Sequence, residues 1–279
     1  METKKILLKD KIDNGILRLT LNNPKNQNTL SELMMDSLKK AFSDAATDQS
    51  IKVIILAANG PIFCAGHDLK EITEARKSQD SGTDYFKQLF DSCSELMQMI
   101  VSNPKPVIAE VDGIATAAGC QLVASCDLAI ATNDSKFATP GVNIGLFCST
   151  PMVALSRNVA KKHAMEMLLT GDMINSKNAK AIGLINNHVS KDLLMEKTLS
   201  IANKIANKSA MTVKMGKQAF YIQSELELSE AYKYTSKIMV ENMLKEDAKE
   251  GIDAFINLSL IHISEPTRRY AISYAVFCL

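Results

Sequence analysis

Residues Ile16–Leu21 (ILRLTL) alternate apolar and polar positions, the period-two signature of a half-buried strand. Asn22, Asn23 and Pro24 interrupt it. From Leu30 the apolar residues Leu33, Met34, Leu38, Ala41, Phe42 and Ala45 recur three and four apart, which predicts an amphipathic helix. Lys52–Ala57 (KVIILA) is apolar nearly throughout, as buried parallel strands are. The following stretch, Asn59–Ile72, carries two glycines and reads as a loop. Phe86, Leu89, Phe90, Cys93, Leu96, Met97 and Ile100 mark a second helix, and Pro106–Val111 a further buried strand. A turn of small residues, Gly113–Gly119, leads into a short apolar helix, and Asp127–Ala131 returns to strand. This alternation predicts an α/β fold with right-handed crossovers.

Beyond Ser149 the pattern is mostly helical, with one short strand near Ile185–Val189. The expected organisation is an α/β core over 1–190 and a helical region over 191–257. The helix Ala231–Leu244 carries more apolar surface than a lone tail hides, so it is expected to pack on the core or on another subunit.

Composition narrows the function. A 279-residue chain with 46% hydrophobic residues builds a packed core. A net charge of +1 gives no footprint for nucleic acid or an acidic membrane, and no apolar run is long enough to span a bilayer. The first five residues are polar, without a secretory h-region or an Arg-rich transit helix, so secretion is not expected. Cys64, Cys93, Cys120, Cys126, Cys148 and Cys278 form no CxxC pair, which predicts reduced, buried thiols and no metal site.

Leu258–Leu279 stands apart. LSLIHISEPTR resembles the in-frame translation of a sequencing-library adapter, and ISYAVFCL resembles the flow-cell end that follows it. The stretch is expected to be read-through rather than protein. Without its Glu265, Arg268 and Arg269 the net charge falls from +1 to 0.

Two segments carry candidate chemistry. Phe63–Glu71 (FCAGHDLKE) and Gly113–Leu122 (GIATAAGCQL) each set small residues just past the C-terminal end of a strand, where open α/β sheets bind ligands. Each offers backbone N–H groups near a helix start. Two such groups aimed at one point make an oxyanion hole.

The succession FCAGHDLK, PVIAEVDG, AAGCQL, CDLAIA and FATP resembles the crotonase superfamily, the enoyl-CoA hydratase/isomerase family, from about Ile6 to Asn257. The resemblance implies a spiral of ββα repeats with a C-terminal helical region that builds a homotrimer or hexamer. It implies an acyl-CoA substrate, with coenzyme A entering as part of the thioester and no separate cofactor. The oxyanion-hole N–H groups fall on His67 and Ala118. Coenzyme A is expected near Pro24–Asn28, with Lys25 and Asn28, and near Ala65, Asp68, Leu69 and Lys70. The resemblance also implies a lysine close to the C-terminus that helps hold coenzyme A, in the part that the adapter-like stretch is expected to have replaced. The setting would be the cytoplasm of a bacterium or the mitochondrial matrix of a eukaryote.

The chain departs from the hydratases where their two catalytic glutamates stand: Gln121 and Gly141 occupy those positions. An amide has no useful pKa, and glycine offers only backbone. General acid–base groups are typically worth ~10²–10⁴ each in rate, so hydration by the usual route is expected to fail. The His67 side chain, Asp68 and Cys148 are the candidate substitutes, with Ser149 and Thr150 lining the acyl pocket beside Cys148. Glu110, Asp112, His163 and His188 read as structural or solvated. Three functions follow: an acyl-CoA enzyme of hydratase/isomerase type in fatty-acid metabolism, an acyl-CoA-binding regulatory protein, and a CoA thioesterase.

Overall fold

The computed structural model describes residues 5–261, with side chains through Asn257. The chain divides into two compact units that meet at Lys217 and Gln218.

The first unit begins with β1 (Leu7–Ile12) and β2 (Ile16–Leu21), an antiparallel hairpin. α1 (Glu32–Thr47) follows, capped by Ser31 and burying Met34, Leu38, Ala41, Phe42 and Ala45 of the predicted stripe, while Leu33 is exposed. β3 (Val53–Ala58), β4 (Ile62–Cys64), α2 (Leu69–Ala75) and α3 (Thr83–Ser102) form the next turn of chain. β5 (Val107–Val111), β6 (Ile114–Thr116) and α4 (Ala118–Ser125) repeat it. β7 (Leu128–Thr132), β8 (Lys136–Ala138), α5 (Ser149–Asn158) and α6 (Lys161–Thr170) repeat it again. The unit is completed by β9 (Ile174–Asn175), α7 (Ser176–Ala181), β10 (Asn187–Val189), α8 (Leu194–Ala206) and the first half of α9 (Ala210–Gln223).

Each repeat places one strand in each of two sheets. The larger sheet has the order β1-β2-β3-β5-β7-β10, parallel from β2 onward. The smaller has the order β4-β6-β8-β9, parallel except at β9. The expected ββα spiral is therefore present. The smaller sheet is absent from the hydrophobic pattern because its strands hold only two or three residues, too few for a period to show. The stretch read as one loop, Asn59–Ile72, contains β4 and the start of α2.

The first unit extends past the expected boundary at residue 190. Leu194, Ala202 and Ala206 of α8 bury with Ile16, Val53, Ile55, Ile108 and Ile130, covering one face of the larger sheet. That face is apolar and cannot be left in water. Lys217 closes the unit: its Nζ, with the side chain 6% exposed, donates to the carbonyls of Ile100 and Lys105 and to Asp127 Oδ2 at 3.0, 3.1 and 2.7 Å. Asp127 Oδ2 also accepts from Val107 N at 2.7 Å.

The second unit comprises the rest of α9, α10 (Leu228–Met243) and α11 (Glu246–Ile261). Leu228, Tyr232, Val240, Leu244 and Phe255 are exposed in the single chain. Most of the adapter-like stretch, residues 262–279, lies outside the described residues.

Candidate active site

Strands β4 and β6 run side by side and carry the two small-residue turns into contact. Glycine is required at both crossing points. A Cβ on Gly119 would lie 2.1 Å from the Cys64 carbonyl oxygen. Gly66 has φ +91°, and a Cβ there would lie 3.0 Å from Ala117 Cβ and 3.2 Å from Ala118 N. Thr116 Oγ1 donates to the Ala65 carbonyl at 3.2 Å and ties the turns together.

Ala118 is the first residue of α4, so its N–H has no intrahelical acceptor and lies at the positive end of the helix. The residue before it is strained. Ala117 has φ +50° and ψ −121°, a region that non-glycine residues avoid at a cost of about 1–3 kcal/mol. Ala117 N donates to Ala138 O at 2.9 Å, which anchors this conformation to β8. The turn that aims Ala118 N–H is thus held by the sheet rather than by its own propensity.

His67 pairs with Leu30 in an isolated parallel bridge, and Leu30 N donates to Gly66 O at 2.8 Å. Its ring stands edge-on to Phe90, with centroids 5.6 Å apart. Both ring nitrogens are buried without a hydrogen-bond partner. Burial pushes the imidazole pKa down, with the Leu30 backbone a smaller opposing influence. The side chain is therefore a neutral wall of the turn.

The expected coenzyme A positions separate into two kinds. Lys25, Leu69 and Lys70 are exposed and free to meet a ligand. Asn28 is fully buried: its amide donates to the carbonyls of Asn59 and Ile62 at 2.9 and 2.7 Å, and its Oδ1 accepts from Asn23 N at 2.8 Å. It shapes the loop and leaves no side-chain group for a ligand. Asp68 caps α2 by accepting from Lys70 N at 2.9 Å and takes a further bond from Thr29 Oγ1 at 3.3 Å. Ala65 N donates to Gln27 O at 3.2 Å, so the Pro24–Leu30 loop and the Ala65–Lys70 turn are joined.

Gln121 is 4% exposed in α4, and Cys93 Sγ lies 3.9 Å from its Oε1. Burial pushes the Cys93 thiol up to about 12. Gly141 begins no helix of length; it sits in a 3-10 turn, Pro140–Ile144, folded against the segment that follows. A Cβ on Gly141 would lie 2.6 Å from Leu146 O and 2.9 Å from Cys148 Sγ. Any side chain at this position would strike the loop at its first carbon. Cys148 is buried at the N-cap of α5, and burial raises its pKa, with the Gly141 backbone N–H opposing. It is a poor thiolate. Ser149 and Thr150 open α5 beside it.

The remaining candidates lie elsewhere. Glu110 pairs with Arg18, and Asp112 with Lys191 at 2.8 Å. His163 is exposed near Glu166, and His188 Nδ1 is bonded to Asn133 Oδ1 at 2.7 Å. Sequence reasoning passed over Phe90 and Cys93 as site residues. Both belong to the apolar face of α3, and nothing local distinguishes the positions of that face that meet the site. Among the described residues no group of three His, Cys, Asp or Glu could hold a metal.

Two turns whose glycines let one backbone meet the other, on a spiral of ββα repeats, define the class. The enoyl-CoA hydratase/isomerase family profile matches residues 11–260, and the chain belongs to that family. It is 48% identical over 255 residues to enoyl-CoA hydratase domain-containing protein 3, mitochondrial, of Rattus norvegicus, covering 91% of this chain and 83% of that protein. The crystal structure of enoyl-CoA hydratase from Mycobacterium smegmatis superposes with a TM-score of 0.87 at 47% identity, covering 91% of this chain and 97% of that one. The crystal structure of human enoyl-CoA hydratase domain-containing protein 3 gives 0.86 at 47% identity, covering 91% and 98%.

Proposed function

We propose that this chain is an acyl-CoA-processing enzyme of the hydratase/isomerase type, acting in fatty-acid metabolism. The thioester carbonyl is held between the backbone N–H groups of His67 and Ala118. Charge developing on its oxygen is stabilised by donors that need no reorganisation, which is commonly the largest electrostatic contribution to such catalysis. Coenzyme A lies across Lys25, Ala65, Leu69 and Lys70, on the loop that Asn28 and Asp68 brace. The observation that carries this reading is the close approach of Gly66 to Ala118 N, which sets the two turns together.

The usual glutamate pair is not the acid–base machinery, because Gln121 and Gly141 supply no proton-transfer group. A second reading, binding and regulation by acyl-CoA without turnover, is favoured by the filled space above Gly141. In both, the exposed apolar residues of α10 and α11 are covered by copies of the chain in a homotrimer or a pair of trimers. The setting is the mitochondrial matrix in a eukaryotic cell or the cytoplasm in a bacterium.

Infrared difference spectroscopy of a bound acyl-CoA labelled with ¹³C at the carbonyl tests the polarisation. The C=O stretch is expected to move to lower frequency on binding. A bound ligand with an unshifted stretch overturns the oxyanion hole. Turnover across a panel of CoA thioesters separates the enzyme from the binding protein.

A further inference from the structure

The larger sheet ends on β1, whose outer side pairs with no strand among the described residues. Asn22 N donates to Ile6 O at 2.7 Å, which sets the phase of the β1–β2 ladder. Its hydrogen-bonded pairs are Ile6–Asn22 and then Leu8–Thr20, Asp10–Arg18 and Ile12–Ile16. The N–H and C=O groups of Leu7, Lys9 and Lys11 therefore point out of the sheet. Such an edge is a template for another strand, and lysines commonly guard it against copies of the same chain.

A groove of about 320 Å³ runs beside this edge. Lys5, Ile6 and Lys9 line one side of it, and Leu33, Ser37 and Lys40 of α1 the other. Leu33 has the spacing of the apolar stripe of α1, yet it is 64% exposed while the rest of the stripe is buried. Lys9 and Lys40 reach for the same carboxylate, that of Asp44, at 3.5 and 3.6 Å. Among the described residues no acidic side chain lines the groove itself. Free backbone, an uncovered leucine and an excess of positive charge thus meet at one place.

We propose that the edge of β1 and the groove beside α1 bind an extended acidic segment of another polypeptide, added to the larger sheet as its outermost strand. The backbone of the segment pairs with Leu7, Lys9 and Lys11. Its alternate side chains turn toward α1. There a carboxylate meets Lys5, Lys9 and Lys40, and an apolar side chain covers Leu33. Backbone bonds supply the affinity of a strand addition, and the contacts of alternate side chains supply its specificity. The β1 strand of a second copy is a poor occupant, because its own Lys9 and Lys11 would bring like charges together.

Capped peptides are the probes: one alternating valine with glutamate, one with the same residues in two blocks, and the alternating peptide N-methylated at every second residue. Calorimetry with the full chain is expected to show the alternating peptide binding roughly tenfold more tightly than either control, the loss of two or three hydrogen bonds. By NMR, exchange of the Leu7, Lys9 and Lys11 amides is expected to slow when that peptide binds. Lys9→Glu together with Lys40→Glu is expected to weaken binding by roughly tenfold. Leu33→Ser is expected to weaken it by roughly threefold. All three positions are exposed, and thermal denaturation checks that the variants fold. Absence of binding by the alternating peptide overturns the proposal. A block or N-methylated peptide that binds as tightly reduces the contact to charge attraction and overturns it too. Unchanged binding by both folded variants places the contact elsewhere and overturns the assignment. Protection of the same amides in the peptide-free chain, rising with protein concentration, gives the edge to a second copy and overturns the acidic partner.

Discussion

The contact between Cys64–Asp68 and Thr116–Gln121 is fixed at nearly every position, whereas the surroundings of Gln121 and Gly141 are not fixed in the same way. In the first region the proposed working groups are backbone N–H donors. Their placement depends on Gly66 and Gly119, which have no room for a side chain, and on a strained Ala117 pinned to β8. In the second region the working groups of the family's hydratases are side chains. Here position 121 carries an amide, and at position 141 the loop that follows leaves no room for a Cβ. Catalysis by backbone is tied to the fold itself. Catalysis by side chains can be lost while the fold stays.

That contrast is tested most severely at Gly119. Gly119→Ala sets a methyl group against the Cys64 carbonyl, and backbone cannot give way as a flexible side chain does. A stability loss of about 3 kcal/mol in urea denaturation is expected, together with loss of acyl-CoA binding. Wild-type stability in this variant would show that the two turns are not pressed together.

Asn28→Ala probes the brace behind the same region. It leaves the carbonyls of Asn59 and Ile62 and the N–H of Asn23 without their partner and places alanine at φ +49°. A loss of roughly 2 kcal/mol is expected. Acyl-CoA affinity is expected to fall with it, although the side chain is fully buried.

Gly141→Ala bears on the second region. The added methyl meets Leu146 O and Cys148 Sγ, and a cost of about 1–3 kcal/mol is expected by thermal denaturation. For the same reason the pair Gln121→Glu and Gly141→Glu is not expected to hydrate crotonyl-CoA at a hydratase's rate. Recovery of that rate would show the loop over Gly141 to be soft.

The smallest effect concerns His67. Its pKa is lowered in the fold, so as pH falls below the ordinary value of 6.5 the unfolded chain takes up a proton that the folded chain resists. Stability is expected to decline from that point down to the pH at which the buried ring itself protonates. One proton limits the slope to ~1.4 kcal/mol per pH unit. His67→Phe is expected to flatten this decline, read from denaturation midpoints between pH 7 and 5. An unchanged slope would mean that other groups set it.

Strands β2, β3, β5 and β7 and the long helices were legible because a strand of five or six residues and a helix of sixteen or twenty leave a period in the hydrophobic pattern, whereas the mostly exposed β1 was missed. The positions of Gln121 and Gly141, and the small-residue turns, were equally visible. Asn28 and Lys25 looked alike as coenzyme A positions, since both sit in one polar loop. Only burial separates the amide that builds the loop from the ammonium that faces solvent.

By itself, the sequence determined the α/β alternation, the family, the two small-residue turns, and the amide and glycine at positions 121 and 141. These are local or compositional facts, written in residue types and spacings. Tertiary structure decided the pairing of β4 with β6, the strain at Ala117, the burial of the His67 ring nitrogens and of Asn28, the inclusion of α8 and Lys217 in the core, and the packing of the following loop against Gly141. Each of these depends on contacts between segments distant along the chain or on the path of the backbone. No residue type or spacing encodes which carbonyl a missing side chain would strike.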